Sequence, residues 1–272
     1  MIRLAVRAPA DAAELVLAEL LDLAPSGVEQ VDGDGVVELA VYGAPGELPA
    51  LDPGDAVVGG VRVTVSATEV PDDWEERWKR FHVPVLVGGS VYLRPPWEEA
   101  VERPGVVDIE IDPGQAFGTG AHPTTRLSLE LLLDVLGEVV GGPVCDLGCG
   151  SGVLAIAAAR LGLGPVRALD FDPAAVEATA ANAERNRVTL ASVECFDLRT
   201  APAPPAELML ANLMRPLLLR VAELIRGPPR LLILSGLLEP EADEIAAAFS
   251  PLRERRRLTD RGWSALLLGR VV

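Results

Sequence analysis

Nine residues constrain this chain most: Val144-Cys145-Asp146-Leu147-Gly148-Cys149-Gly150-Ser151-Gly152. Pro143 to Cys145 read as a short buried strand that ends at Asp146. Glycines at 148, 150 and 152 turn the chain, and Val153 to Leu161 continue as an apolar helix stopped by Gly162 and Gly164. A strand, a glycine turn and a helix N-terminus bring bare backbone and unpaired N–H groups close to a ligand. The next strand, Pro165 to Leu169, delivers Asp170, at the spacing of an acid that hydrogen-bonds ribose hydroxyls. A glycine turn without a ligand does not require helix and downstream acid to fall in register.

The dinucleotide fingerprint needs G-x-G-x-x-G, and here Val153 stands where the third glycine belongs. The pattern D-x-G-x-G-x-G instead resembles the first motif of the class I S-adenosylmethionine-dependent methyltransferases. A ligand of that kind has no phosphates. Its amino-acid end carries an ammonium and a carboxylate, which suit an acid such as Asp146 beside backbone N–H groups.

From Pro143 onward, strand-like and helix-like runs alternate. Strands are expected at 143–146, 165–170, 189–195, 206–211 and 230–234, with helices at about 152–161, 173–186, 216–226 and 239–249. Two last runs, 252–258 and 263–268, are joined at Asp260-Arg261-Gly262 and read as an antiparallel hairpin. The expected fold is α/β, a Rossmann-like, seven-stranded and mostly parallel sheet with a reversed edge hairpin. Ligands on such sheets sit outside the carboxyl ends of the strands, where Asp146, Asp170, Asp197 and Asn212 all fall.

Upstream, residues 2–7 alternate as a half-buried strand, and Ala13, Leu17, Leu20, Leu21 and Ala24 repeat at helical spacing. Val28 to Val31 and Val36 to Val41 flank Asp32-Gly33-Asp34-Gly35, a hairpin signal. Residues 43–60 are Pro/Gly-rich and read as a loop with one short helical turn, before a strand at 61–70. This is an α+β module of ferredoxin-like size. Trp74, Trp78 and Phe81 share a face of a short helix, read as packing between domains, near an expected hinge. A hairpin across Gly88-Gly89 follows. The expected division is an N-terminal α+β substrate-recognition domain at 1–70, a linker helix and hairpin at 71–97, and a catalytic domain at 98–272. Residues 112–125 hold three glycines and two prolines and read as a ligand-covering loop, with Thr124 or Thr125 opening the next helix.

Composition narrows the function classes. Apolar residues make up 49% of the 272, enough for a real core and against disorder. No apolar run is long enough to span a bilayer, and the N-terminal stretch carries charges within a strand pattern, so a cytoplasmic location is the default. Cys145, Cys149 and Cys195 are too few and too odd in number for a disulfide framework. With His82 and His122 isolated, no metal site is expected, and Cys145 and Cys149 read as small buried residues. The net charge of −16 disfavours direct nucleic-acid binding. The same charge suits either a basic protein partner or solubility alone.

Read together, the motifs resemble the PrmA family, the methyltransferases of ribosomal protein L-eleven (L11). The signature stretch is Asp112-Pro113-Gly114-x-Ala116-Phe117-Gly118-Thr119-Gly120-x-His122-x-Thr124-Thr125. Asp146-x-Gly148-Cys149-Gly150-Ser151-Gly152, Asp170-x-Asp172-Pro173-x-Ala175-Val176, Asn182-x-x-x-Asn186, Ala211-Asn212-Leu213 and Leu234-Ser235-Gly236 match in order. The resemblance implies methyl transfer from S-adenosyl-L-methionine to lysine ε-amines and the N-terminal α-amine of L11. The small N-terminal domain would bind the substrate and move against the catalytic domain. Cofactor contacts carry over to Thr125, Gly148, Asp170 and Asn212, with Phe117, Gly118 and Thr119 lining the site. Asp146 and Gly150 belong to the same cofactor set, and Asn212 and Phe117 are the residues placed at the reacting amine. His122 ranks below them as a base, because a histidine in such a loop more often fixes it by hydrogen bonds. One departure is visible: Asn212-Leu213-Met214-Arg215-Pro216-Leu217 is one residue shorter than the family's usual segment, and Arg215 replaces a small residue in a stretch that the resemblance places beside the target amine. The alternatives are a methyltransferase of another protein or small molecule, and a non-catalytic cofactor-binding homologue. A nicotinamide dehydrogenase is opposed by Val153.

Overall fold

The computed structural model describes residues 2–23, 28–33, 35–43, 48–49, 51–69, 82–113, 122–139 and 141–270. Two compact units emerge, Met1–Phe81 and His82–Val272.

The first unit runs β1 (Ile2–Pro9), a 3-10 turn (Ala10–Ala12), α1 (Ala13–Leu23), β2 (Glu29–Gly33), β3 (Val36–Gly43), β4 (Gly54–Val58) and β5 (Val61–Glu69). Its strands form one antiparallel sheet in the order β2-β3-β1-β5-β4. Strand alternation puts Leu4, Val6 and Ala8 on one face, where they join Leu39, Val41, Val63 and Val65. Ala13, Val16 and Leu20, spaced i, i+3 and i+7 on α1, close that core. The order β2-β3-β1-β5 is that of a ferredoxin-like module, to which β4 adds an edge. Here the expectation of a loop over 43–60 is corrected. Val58 and Val61 pair across Gly59-Gly60, whose φ angles of 57° and 78° make the tight turn that a two-residue hairpin needs. The expected helix at 74–81 lies outside the described residues.

The second unit opens with a three-stranded sheet. Strands β6 (Val85–Val87) and β7 (Val91–Arg94) form the hairpin across Gly88-Gly89, and β8 (Val107–Glu110) runs parallel to β7. Then come α2 (Pro123–Asp134), β9 (Val144–Leu147), α3 (Val153–Arg160), β10 (Val166–Asp170), α4 (Pro173–Arg185), β11 (Ser192–Cys195) and β12 (Leu208–Asn212). The chain closes with α5 (Arg215–Leu224), β13 (Leu231–Leu238), α6 (Ala242–Ala248), β14 (Arg253–Asp260) and β15 (Trp263–Gly269).

These last strands form a seven-stranded sheet in the order β11-β10-β9-β12-β13-β15-β14, parallel except for β15. Period-two alternation divides its side chains between two cores. Val144, Leu208, Leu210, Ile233 and Leu267 pack toward α2 and α3, and Cys145, Leu147, Met209, Leu232 and Leu266 pack toward α5 and α6. A strand buried on both faces reads as a continuous apolar run, which is why Leu231-Leu232-Ile233-Leu234 is legible as sheet interior. The expected strand at 230–234 continues to Leu238, because a bulge at Ser235-Gly236 lets pairing resume at Leu237 with Ser264. The order of the sheet reverses at β9, with β10 on one side and β12 on the other. That switch point opens a crevice at the carboxyl ends of β9 and β12.

Candidate active site

The glycine turn is pinned by β10. The N–H groups of Gly148 and Cys149 both donate to the Leu169 carbonyl, at 2.8 and 3.0 Å, and Gly150 N–H donates to Asp170 Oδ2 at 2.9 Å. The Asp170 Oδ1 accepts the Asp172 N–H at 3.1 Å. Each carboxylate oxygen is thus oriented by one backbone donor, and each keeps a lone pair for a further donor.

Gly152 stands at the N-cap of α3 with φ 81°, a left-handed conformation that leaves no side chain to cap the helix. The cap comes instead from the end of β9: Asp146 Oδ2 accepts the Ala155 N–H at 3.0 Å. An acid at a helix N-terminus is favoured by the dipole. Asp146 is also buried, and that burial pushes its pKa up to about 7, against the Ala155 hydrogen bond and with the neighbouring Asp170 charge adding to the rise.

The opposite wall is the end of β12 and the first turn of α5. Gly148 has φ 70°, and a Cβ there would lie 2.3 Å from Leu213 Cδ2. The Leu213 N–H donates to the Ser235 carbonyl at 3.0 Å, and a Cβ on Gly236 would lie 2.4 Å from the Leu213 carbonyl oxygen. The Ser235 hydroxyl, fully buried, donates to the Thr124 carbonyl at 3.1 Å. Ser235-Gly236 therefore joins the start of α2 to the end of β12.

Between these walls lies a cleft of about 440 Å³, within the size range of small-ligand sites. Asp146, Gly148, Gly150, Asp170 and Asn212 all line it, so the fold gathers five of the sequence-derived residues into one place. Thr125 is not among the lining residues. It is buried in the first turn of α2, and its hydroxyl has no hydrogen-bond partner among the described residues. Phe117, Gly118 and Thr119 lie outside the described residues.

His122, weighed as a base, caps α2: its Nδ1 lies 2.7 Å from the Thr124 hydroxyl and accepts the Thr124 N–H, and its ring meets Trp263 edge-on at 4.8 Å. Burial and the nearby Arg126 charge lower its pKa, which keeps the ring neutral and Nδ1 free to accept. The helix thus starts at Pro123, one position before the expected Thr124, with His122 as its cap. Arg215, expected beside the target amine, turns its guanidinium to Glu244 of α6 in a two-pronged ion pair of 2.6 and 2.8 Å. Cys145 and Cys149 are buried, and desolvation pushes their thiols up, Cys145 to about 12. Among the described residues no group of three His, Cys, Asp or Glu is placed to hold a metal ion.

The cleft also contains residues that sequence reasoning passed over. Phe171 is 59% exposed, unusual for its size, and lies in the lining directly after Asp170. The Arg199 guanidinium sits 5.0 Å from the Phe171 ring centroid and is gripped by Asp197 at 2.8 and 3.1 Å. Adjacency to Asp170 was the available signal for Phe171. Nothing local marks Arg199.

A family model for ribosomal protein L11 methyltransferase (PrmA) matches residues 54–270. The ribosomal protein L11 methyltransferase of Cupriavidus necator is 39% identical over 253 residues, covering 82% of each chain. That of Citrifermentans bemidjiense is 39% identical over 203 residues, 72% of this chain and 66% of the relative. The crystal structure of a ribosomal protein L11 methylase from Lactobacillus delbrueckii subsp. bulgaricus superposes with a TM-score of 0.62 at 26% identity, covering 70% of this chain and all of that one. With the family's strand order, glycine turn and strand-end acids in place, this chain belongs to the ribosomal protein L11 methyltransferase (PrmA) family.

Proposed function

We propose that this chain transfers methyl groups from S-adenosyl-L-methionine to ribosomal protein L11, on lysine ε-amines and the N-terminal α-amine. The observation that carries the reading is the cleft at the switch point, where a glycine cradle, two strand-end acids and Asn212 converge. The chain's residues fit the cofactor. The Asp170 carboxylate, fixed by two backbone donors, would accept from a ribose diol. The Gly148 cradle is closed by Leu213 so tightly that a methyl would fill it. Asp146 and Phe171 both line the cleft, where Asp146 would take the cofactor's ammonium and Phe171 would offer an aromatic face next to Asp170.

When bound, the cofactor's sulfonium supplies an electrophilic methyl group. The protein's task is then alignment and exclusion of water. The lining is largely apolar, with Phe196, Leu198, Leu213 and Leu217 around the polar groups. Such a wall favours the neutral form of an entering lysine, the form that attacks. Asn212, at the end of β12 and in the cleft lining, is our candidate to hold that amine through its side-chain carbonyl oxygen. The charge of −16 suits a basic ribosomal protein as partner and disfavours direct contact with nucleic acid. Among the described residues no helix is long and apolar enough to cross a membrane, and we place the reaction in the cytoplasm. The N-terminal unit is assigned to substrate recognition.

The test is mass spectrometry of L11 after incubation with this enzyme and S-adenosyl-L-methionine, beside Gly148→Arg. Mass gains in steps of one methyl group, absent with the variant, are expected. Cofactor binding with no gain on L11 would move the assignment to another acceptor.

A further inference from the structure

Two asparagines, Asn182 in α4 and Asn186 at its C-cap, match the family's pattern yet have no part in the reaction as described. Both are buried, at 1% and 7% exposure. Four residues apart, they share a helix face. Asn182 uses both ends of its amide. Its Nδ2 donates to the Ser151 carbonyl of the glycine turn at 2.9 Å, and its Oδ1 accepts the Asp112 N–H, just past β8, at 3.0 Å. Asn186 grips the strand one step earlier. Its Oδ1 accepts the Glu110 N–H at 2.8 Å, and its Nδ2 donates to the carbonyls of Glu110 and Asn182 at 2.6 and 2.7 Å. Arg185 adds bonds to the Glu110 and Asp112 carboxylates at 3.3 and 3.2 Å. Of these three side chains, Asn182 is the one that reaches the glycine turn.

We propose that Asn182 is a positioning residue: it locks the glycine turn to the end of β8, and so sets where the turn's N–H groups meet the cofactor. This rests on the reading of the cleft as the S-adenosyl-L-methionine site. Deleting the amide removes both hydrogen bonds, to the Ser151 carbonyl and from the Asp112 N–H, and with them this tie between the turn and the end of β8. Asn186 supplies an internal control, since it is comparably buried and hydrogen-bonded but makes no contact with the turn.

The experiment compares wild type, Asn182→Ala and Asn186→Ala, full chain, by calorimetric binding of S-adenosyl-L-methionine, thermal melting and L11 methylation. Both variants are expected to lower the melting temperature. Asn182→Ala weakens cofactor binding about tenfold, as the loss of one buried hydrogen-bonding partner implies, and Asn186→Ala leaves it within about twofold. In wild type, hydrogen exchange at the Asp112 amide slows on cofactor binding more than at Glu110, a readout that does not depend on either variant folding. Equal cofactor affinities in all three proteins, or Asp112 exchange indifferent to cofactor, would overturn the proposal. Wild type that binds no cofactor would overturn it together with the functional reading. Wild type that binds cofactor and leaves L11 unmodified would overturn the substrate assignment alone.

Discussion

Gly236→Ala is expected to lower the melting temperature of the second unit by about 6–12 °C and to weaken cofactor binding roughly tenfold or more. The residue has φ 82°, where an L side chain is strained by about 1–2 kcal/mol. The added methyl would also lie 2.4 Å from the Leu213 carbonyl oxygen, 2.8 Å from its carbon and 3.0 Å from its nitrogen. These are backbone atoms, so no rotamer change relieves the contact, and overpacking of this kind costs about 1–3 kcal/mol more. The displaced backbone is the one that carries Asn212 on one side and meets Gly148 on the other. Stability and binding should therefore fall together. Gly262→Ala is the control: its φ is 81°, yet a Cβ there meets nothing within 4 Å. It should show the conformational strain alone, with cofactor affinity unchanged. Thermal melting and calorimetry decide the matter. Gly236→Ala melting no lower than Gly262→Ala, with normal binding, would mean that the Leu213 segment yields freely.

What was legible in the sequence follows the range of the interactions involved. The run from Pro143 to Asp170 could be read because its parts are neighbours: strand, turn, helix, next strand and acid each declare themselves within a few residues. The alternation of strands and helices after it is local in the same sense. The β4 strand was obscured because its Gly59-Gly60 turn sits in a segment whose prolines and glycines suggest a loop. The length of β13 was missed because a bulge interrupts the pattern where the fold needs Ser235 and Gly236 for contacts with Thr124 and Leu213. The ion pair of Arg215 with Glu244 was not legible, because the two residues are distant in sequence. Asp146 was legible as an acid at the end of a strand. Its capping of α3 in place of Gly152 was not, because that depends on the chain folding back over the turn.

The burial of Asp146 should make the affinity for S-adenosyl-L-methionine depend on pH. An acid whose folded pKa is about 7 is half protonated near neutrality, and only the carboxylate form attracts the cofactor's ammonium. Binding should strengthen about tenfold from pH 6 to pH 8. Asp146→Asn, which keeps an oxygen for the Ala155 N–H, should bind weakly and lack that rise, its profile carrying the cofactor's own titration. The stability of the free protein should move the other way. The folded pKa lies above the ordinary 3.8, so between about pH 4 and pH 7 the folded state holds a proton that the unfolded state has released. Stability is fully present below that window, falls as pH rises through it and levels off above it. Asp146→Asn escapes the cost and should be more stable than wild type at pH 8, by up to roughly 4 kcal/mol on a shift of about three pKa units. One substitution thus raises stability and lowers affinity, a pairing that a merely structural acid does not produce. Wild-type affinity level from pH 6 to pH 8, or Asp146→Asn binding as tightly as wild type, would remove Asp146 from the cofactor's ammonium and leave it as the cap of α3.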